Sequence, residues 1–188
     1  MSHLGHRVCP WWIGYFLASP IRKLWQDPHT ILASLVAEGM LVLEPGPGMG
    51  YFTLELARLV GPSGRVVAVD LQPRMLSVLR RRARRRRLQE RVETRLASED
   101  GMRLADLAGR VDFALAFAMV HEVPDAGRFF GEVAAALKPG GGLLFAEPAG
   151  HVTEPQFAAS LELAASAGFR LERRTAIRSS RAALLVRN

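Results

Sequence analysis

Three glycines at alternate positions, Gly46, Gly48 and Gly50, follow an acidic residue, Glu44, in the first third of the chain. Glycine has no Cβ, so the backbone of such a turn can approach a ligand closely. The helix that follows begins with unpaired N–H groups, which also face a ligand at this place. A carboxylate two residues before the first glycine repels a pyrophosphate and attracts a cation. The pattern therefore predicts a site for a ligand that carries positive charge.

A second carboxylate, Asp70, ends the apolar run Arg65 to Asp70, 24 positions after Gly46. This spacing suits a carboxylate that accepts hydrogen bonds from both ribose hydroxyls of a nucleoside. The alternative is that Asp70 only caps the next helix. In combination with the glycine turn, we predict the ribose contact, and we place Leu71 beside the same nucleoside.

Apolar runs alternate with helical patterns along the chain. Met40 to Leu43 predicts a buried parallel strand, and apolar residues resume at helical spacing from Phe52. Further strands are predicted at residues 65–70, 91–96, 111–118 and 143–147, and a closing antiparallel hairpin at 169–177 and 181–186. Helices are predicted at residues 27–39, from residue 73, at 126–137 and at 154–167. The order predicts an α/β three-layer sandwich, with a seven-stranded, mostly parallel sheet whose last strand is antiparallel. Ligands should bind at the carboxyl ends of the strands, where the strand order reverses.

Two later segments complete a family pattern. Val-His-Glu-Val-Pro-Asp at 120–125 follows the fourth strand, and Leu-Lys-Pro-Gly-Gly at 137–141 precedes the fifth. Together with the glycine turn and Asp70, they resemble the class I S-adenosylmethionine-dependent methyltransferases that act on small molecules. The resemblance covers roughly residues 27 to 187. It implies a Rossmann-like fold, S-adenosyl-L-methionine as the cofactor, and a small-molecule methyl acceptor as the partner.

The resemblance also implies where the adenine lies. Relatives place an acidic residue after the third strand to accept from the adenine amino group. Aligned on Val92, that position falls on Ser98, with Glu99 and Asp100 directly after it. All three are therefore predicted to contact the cofactor, as is Phe117 at the end of the fourth strand.

Two histidines follow the fourth and fifth strands and are the predicted catalytic residues. His121 is a candidate general base, and His151 lies near the end of the next strand. His121, Glu147 and His151 could instead ligate a metal, or with Cys9 hold a soft metalloid substrate. A third alternative is that His121 only caps the next helix. We predict no bound metal.

The absence of one motif limits which atom can accept the methyl group. Relatives that methylate planar nitrogens carry a polar Asn/Asp-Pro-Pro-Tyr type motif after the fourth strand, where this chain has the apolar residues 116–119. Oxygen, carbon, sulfur or metalloid acceptors are therefore favoured over planar nitrogen, and nucleic acid is disfavoured as a partner.

Length and composition indicate the number of domains and the cellular compartment. A chain of 188 residues with 49% apolar content suits one domain, predicted at 27–188 and preceded by an aromatic extension or lid at 1–26. The single cysteine indicates a reducing compartment, and no run approaches the roughly 20 apolar residues of a membrane span. We expect a cytoplasmic protein, for which a homodimer is compatible with the sequence.

Two other function classes are considered. A nucleotide-dependent oxidoreductase would carry G-x-G-x-x-G, but Tyr51 stands at the third glycine position. A non-catalytic module could bind polyanions or an anionic membrane through the arginine run 80–87, given the net charge of +7. The run also falls late in a predicted helix, where cations complement the helix dipole, so a solvated surface is the favoured interpretation.

Overall fold

The computed structural model describes residues 26–98 and 100–188, so the predicted extension at 1–26 lies outside the described residues apart from Gln26. The strands of the described residues are β1 (Leu41–Pro45), β2 (Arg65–Asp70), β3 (Val92–Leu96), β4 (Val111–Phe117), β5 (Leu137–Pro148), β6 (Phe169–Arg174) and β7 (Ser180–Arg187). The α-helices are α1 (Pro28–Leu32), α2 (Thr53–Leu59), α3 (Pro73–Arg85), α4 (Ala126–Ala136) and α5 (Glu154–Ser166). None of these helices is long and apolar enough to cross a membrane.

The strands form one sheet in the order β3-β2-β1-β4-β5-β7-β6. Strands β1 to β5 pair in parallel, and β7 runs antiparallel between β5 and β6. The predicted seven-stranded, mostly parallel sheet is therefore confirmed. The strand order reverses between β1 and β4, so a crevice is expected at their carboxyl ends.

Both faces of the sheet are covered by helices, which makes three layers. Neighbouring residues of a strand point to opposite faces, and in β1 Val42 and Leu43 accordingly belong to two different buried clusters. The cluster around Leu43 contains α4 and α5, whose Phe157 stacks on Phe145 of β5 with ring centroids 4.9 Å apart. The cluster around Val42 contains α1, α2 and α3. These two cores fix the strand ends that form the site.

The first helix is shorter than predicted. Asp27 caps it by accepting a hydrogen bond from Thr30 N, but the helix ends at Leu32 instead of near residue 39. The chain then turns, and Gly39, with a φ of 85°, donates its N–H to Val60 O at the end of α2. Pairing with α2 thus replaces the last helical turns that the apolar spacing predicted.

Strand β5 begins earlier than predicted, at Leu137 instead of Leu143. Val111 pairs with Leu137, whereas Phe113 pairs with Gly142, so the register shifts within the glycine-rich segment. Extra residues on one strand are accommodated as a bulge, which bends the strand without ending it. At the other end of the sheet, β6 stops at Arg174 and Ile177 forms only an isolated bridge with Ser180.

Candidate active site

A cavity of about 650 Å³ opens at the carboxyl ends of β1, β2 and β4. Its wall is completed by the glycine turn, by the turn after β3, and by residues at the start of α4. The cavity therefore lies where the strand order reverses, which is the predicted place for a ligand.

The glycine turn forms the cavity floor through backbone conformations that favour glycine. Gly46, Gly48 and Gly50 have φ values of 65°, 53° and 83°. A Cβ at Gly48 would meet no described atom within 4 Å, so this side of the turn is open to a ligand. A Cβ at Gly50 would lie 2.3 Å from Leu79 Cδ1, so the third glycine allows close packing of α3. Arg82 of the same helix donates to Met49 O at 2.5 Å.

Glu44 places a buried carboxylate at the end of β1, on the cavity wall. The residue is 4% exposed, and its Oε2 atom has no hydrogen-bond donor among the described residues. Burial raises the pKa of Glu44 to about 8, the neighbouring Thr53 hydroxyl opposes the rise, and the charge of Asp70 adds to it. A buried carboxylate oxygen without a partner is unfavourable in the free protein. A positively charged ligand in the cavity would remove that penalty.

Asp70 is held in place by two backbone donors. Its Oδ1 accepts from Gln72 N at 2.8 Å, and its Oδ2 accepts from Gly48 N at 3.3 Å. Burial raises the pKa of Asp70, and these N–H groups oppose the rise. Each carboxylate oxygen keeps a free lone pair, so the group can also accept from a pair of hydroxyls. Leu71, also on the cavity wall, is 49% exposed beside it.

The turn after β3 closes the far end of the cavity. Ser98 N donates to Gly101 O at 3.0 Å, and Gly101 N donates back to Ser98 O at 3.1 Å. Ser98 lines the cavity, whereas Asp100 is exposed and lies off the lining. Glu99 lies outside the described residues. Of the three predicted adenine contacts, the structure thus places Ser98 at the cavity and Asp100 away from it.

Sequence reasoning missed a carboxylate at this end of the cavity. Glu132 of α4 accepts from Met102 N at 2.7 Å through Oε2, and from Arg128 Nε at 3.2 Å through Oε1. Glu132, Arg128 and Met102 all line the cavity. No local pattern marks Glu132, because its partner lies in a loop distant in sequence.

An apolar wall occupies the side of the cavity between the glycine turn and α4. Phe117, at the end of β4, packs on Phe52 with ring centroids 4.4 Å apart. Met119, Val123 and Phe129 continue this wall. The predicted position of Phe117 at the ligand is therefore compatible with the cavity that the structure describes.

The two predicted catalytic histidines lie off the cavity lining. His121 Nδ1 is 2.5 Å from Glu147 Oε2, and Glu147 Oε1 accepts from Val120 N at 2.8 Å and from His121 N at 3.2 Å. The hydrogen bond to Glu147 raises the pKa of His121, and partial burial opposes the rise. His151 is exposed, with its ring edge-on to His121 at 5.9 Å. Glu147, which is 1% exposed, thus fixes the backbone of the loop after β4.

Neither histidine lines the cavity, and a catalytic role for either stays a prediction. Their neighbours in the loop, Met119, Glu122 and Val123, line it instead. In residues 26–98 and 100–188, no group of three or more His, Cys, Asp or Glu side chains is arranged to hold a metal ion. Cys9, the soft ligand considered for a metalloid, lies outside these residues.

Comparison with known proteins agrees with the fold and the glycine turn. A family model described as a methyltransferase domain matches residues 42–141. The ubiquinone/menaquinone biosynthesis C-methyltransferase UbiE of Pasteurella multocida is 31% identical over 139 residues, which are 74% of this chain and 51% of that protein. An arsenite methyltransferase of Halobacterium salinarum is 33% identical over 106 residues, 56% of this chain and 26% of that protein. The alignments thus span about half or less of these relatives.

Among solved structures, a SAM dependent methyltransferase from Aquifex aeolicus superposes with a TM-score of 0.84. It is 24% identical, and the match covers 95% of this chain and 98% of that one. The similarity confirms the Rossmann-like α/β fold.

Proposed function

This chain belongs to the methyltransferase domain family, as its glycine turn and later motifs predicted, and on that premise we propose that it transfers a methyl group from S-adenosylmethionine to an apolar small molecule. The observation that carries the proposal is the buried Glu44 Oε2 atom, which has no partner among the described residues and lies beside an open glycine turn. The methyl donor has a positively charged amino group that this carboxylate fits.

The residues of the cavity fit the rest of the donor. Asp70 would accept from the ribose hydroxyls, and Gly46, Gly48 and Gly50 would leave room for the methionine portion. The adenine would lie between Leu71 and the turn at Ser98, and Phe117 would border the sulfur. When bound, the donor supplies a methyl group that its sulfonium charge has already activated for in-line displacement.

The contribution of the chain is to position the acceptor and exclude water. Holding two reactants in line can lower the barrier by roughly 7 to 11 kcal/mol. The wall formed by Phe52, Phe117 and Met119 is apolar, which suits an apolar acceptor. An acceptor that must lose a proton would transfer it to Glu122, which lines the cavity and whose Oε1 is 3.9 Å from His121 Nε2. His121 thus acts in this proposal through Glu122.

Carbon is the acceptor atom that the relatives and the cavity favour together. One relative is named as a C-methyltransferase of quinone biosynthesis and another as an arsenite methyltransferase. Arsenic is held by soft ligands such as thiolates, and the chain has one cysteine. We therefore propose a carbon atom of an apolar ring as the acceptor. A cytoplasmic location and a homodimer remain predictions.

Calorimetry on ligand-free protein tests the proposal directly. S-adenosylmethionine and its demethylated product, S-adenosylhomocysteine, should both bind, and NAD should not. At 100 times the dissociation constant, the product should stabilise the fold by about 2.7 kcal/mol, which is measurable as a rise in Tm. Binding of NAD without binding of either methyl-donor ligand would contradict the proposal. Methyl transfer is then measured from labelled donor to apolar phenols and quinols, with a planar amine as the comparison acceptor.

A further inference from the structure

The second half of α3 carries an exposed arginine face. Arg80, Arg81, Arg84 and Arg85 are exposed and, with Ser77, line a shallow surface hollow. Residues four apart lie on the same side of a helix, so Arg80 with Arg84 and Arg81 with Arg85 form two adjacent rows. We call these four residues the arginine face.

The arginine face gathers four neighbouring guanidinium groups that have no acidic partner among the described residues. None of the four guanidinium groups lies within 4.0 Å of a carboxylate in the described residues. Arg80 instead donates a hydrogen bond to the hydroxyl oxygen of Thr94. Some other exposed arginines do pair with carboxylates, as in Arg58 with Glu55, Arg65 with Glu93 and Arg170 with Glu172. Those without a carboxylate partner in the described part of the chain, such as Arg173 and Arg178, lie away from this helix.

Like charges four residues apart weaken a helix, and the helix dipole favours cations only within the last turn. Arg80 and Arg81 lie before that turn in α3 (Pro73–Arg85). The helix dipole therefore explains the arginines in the last turn of α3, but it does not explain Arg80 and Arg81. An anionic partner would compensate the whole face.

We propose that the arginine face binds the acidic phospholipid headgroups of a membrane surface. Guanidinium groups bind phosphate oxygens through paired N–H donors, and four of them on one helix match a layer of phosphates.

Two exposed leucines favour lipid over nucleic acid. Leu96 is 52% exposed and lies on the same face of β3 as Thr94, the residue that Arg80 contacts. Leu71 is 49% exposed at the end of the neighbouring strand, on the rim of the cavity. Single-stranded nucleic acid is usually bound by aromatic platforms, and the hollow of the arginine face has none among its described residues. The choice of lipid also rests on the proposed function, since an apolar acceptor partitions into a bilayer.

Co-sedimentation with lipid vesicles tests the proposal on the full chain without methyl donor. One vesicle contains phosphatidylcholine alone, and the other contains phosphatidylglycerol as roughly a quarter of its lipid. The variant Arg80→Gln, Arg81→Gln, Arg84→Gln, Arg85→Gln removes the face. The matched control, Arg58→Gln, Arg65→Gln, Arg170→Gln, Arg173→Gln, removes the same charge from other exposed positions. Circular dichroism and S-adenosylhomocysteine binding check that both variants are folded.

The wild-type chain should bind the acidic vesicles in a salt-sensitive way and bind neutral vesicles much more weakly. The face variant should lose roughly tenfold or more in affinity, and the control should stay within about threefold. Equal losses in the two variants, or equal binding to both vesicles, would overturn the proposal. Tighter binding of single-stranded RNA through the same arginines would overturn it in favour of a nucleic-acid site. Failure of the proposed function would instead appear as absent donor binding, with the vesicle result unchanged.

Discussion

Glu44 is the residue on which we expect ligand binding to depend most, because of its charge state. In the free protein, burial raises its pKa to about 8, so the group is mostly protonated at neutral pH. A bound amino group would favour the ionised carboxylate and lower that pKa again. Binding should therefore release a proton when it occurs below about pH 8.

We expect the affinity for S-adenosylhomocysteine to rise with pH up to about 8 and then level off. Below this pKa, the affinity should fall by up to about tenfold per pH unit, because the ligand binds the ionised form. Calorimetry at several pH values and in buffers of different ionisation enthalpy measures both the affinity and the released proton. Glu44→Gln should bind more weakly and lose this dependence. A wild-type profile that is flat from about pH 6 to 8 would refute the role of Glu44.

Asp70 is predicted to contribute through its two carboxylate oxygens. Asp70→Asn should weaken S-adenosylhomocysteine binding roughly tenfold to a hundredfold, since hydrogen bonds to charged groups contribute about 1.5 to 3 kcal/mol. The comparison ligand is a 2′-deoxy analogue, for which wild type and variant should differ much less. Asp106→Asn, at an exposed residue paired with Arg95, is the matched control and should leave binding unchanged. An equal loss of affinity for both ligands would show that Asp70 only stabilises the turn and does not contact the ribose.

Among the elements, the loop after β4 depends on a carboxylate from the neighbouring strand. Glu147 accepts from two backbone N–H groups of the loop and from the His121 ring. A glutamine side chain has one oxygen that accepts and an amide nitrogen that only donates, so it cannot replace both carboxylate oxygens of Glu147. The loop would then lose at least one of these contacts while its apolar residues stay unchanged.

Glu147→Gln should therefore raise the KM for the acceptor by several-fold and change the dissociation constant of S-adenosylhomocysteine little. The free energy of unfolding should fall by about 1 to 3 kcal/mol, as expected when a buried hydrogen-bonding group is mismatched. Steady-state kinetics and urea unfolding measure the two effects. The comparison variant His151→Gln changes an exposed ring near the same loop and should alter neither. A pure loss of kcat in Glu147→Gln would instead indicate a chemical role.

The elements show what the sequence can and cannot predict. The bounds of β2 follow from a continuous apolar run that ends at Asp70, and the glycine spacing identifies the turn. The early end of α1 depends on pairing with Val60 O, and the position of Glu132 depends on Met102 N. Such contacts join distant residues, so local periodicity does not reveal them.

The positions of the histidine side chains also depend on contacts between residues distant in sequence. Sequence places His121 after β4 and His151 after β5, which is correct for their backbones. The direction of a side chain is decided by its partner, and for His121 that partner is the buried Glu147. Glu44 and Asp70 could be placed at the cavity from sequence because the carboxyl ends of strands at the switch point open into the crevice.

For the molecule as a whole, buried carboxylates should give an unusual dependence of stability on pH. Between the ordinary pKa of 4.5 and the folded pKa of about 8, folded Glu44 holds its proton more tightly than the unfolded chain. The free energy of unfolding should therefore fall as pH rises through this window, by at most about 1.4 kcal/mol per unit. The raised pKa of Asp70 acts in the same direction.

His121 has a raised pKa for a different reason, its hydrogen bond to Glu147. Its contribution is fully present below the ordinary pKa of 6.5 and is lost as pH rises through the higher folded value. Urea unfolding between about pH 5 and 8.5 should therefore show declining stability. Glu44→Gln should make the decline between about pH 5 and 6.5 smaller, before His121 contributes, and the part due to Asp70 should remain. A ligand-free protein that becomes more stable across this range would contradict the burial of an unpaired carboxylate.

Helix α3 is anchored to the glycine turn at two points, by Leu79 against Gly50 and by Arg82 on Met49 O. The helix that carries the arginine face is thus fixed directly to the glycine turn of the proposed donor site. A chain adsorbed on a bilayer would hold its donor at a constant height and tilt above the lipid plane. Catalysis on a lipid-dissolved acceptor would then need no hinge motion, only lateral diffusion of the acceptor to the rim of the cavity.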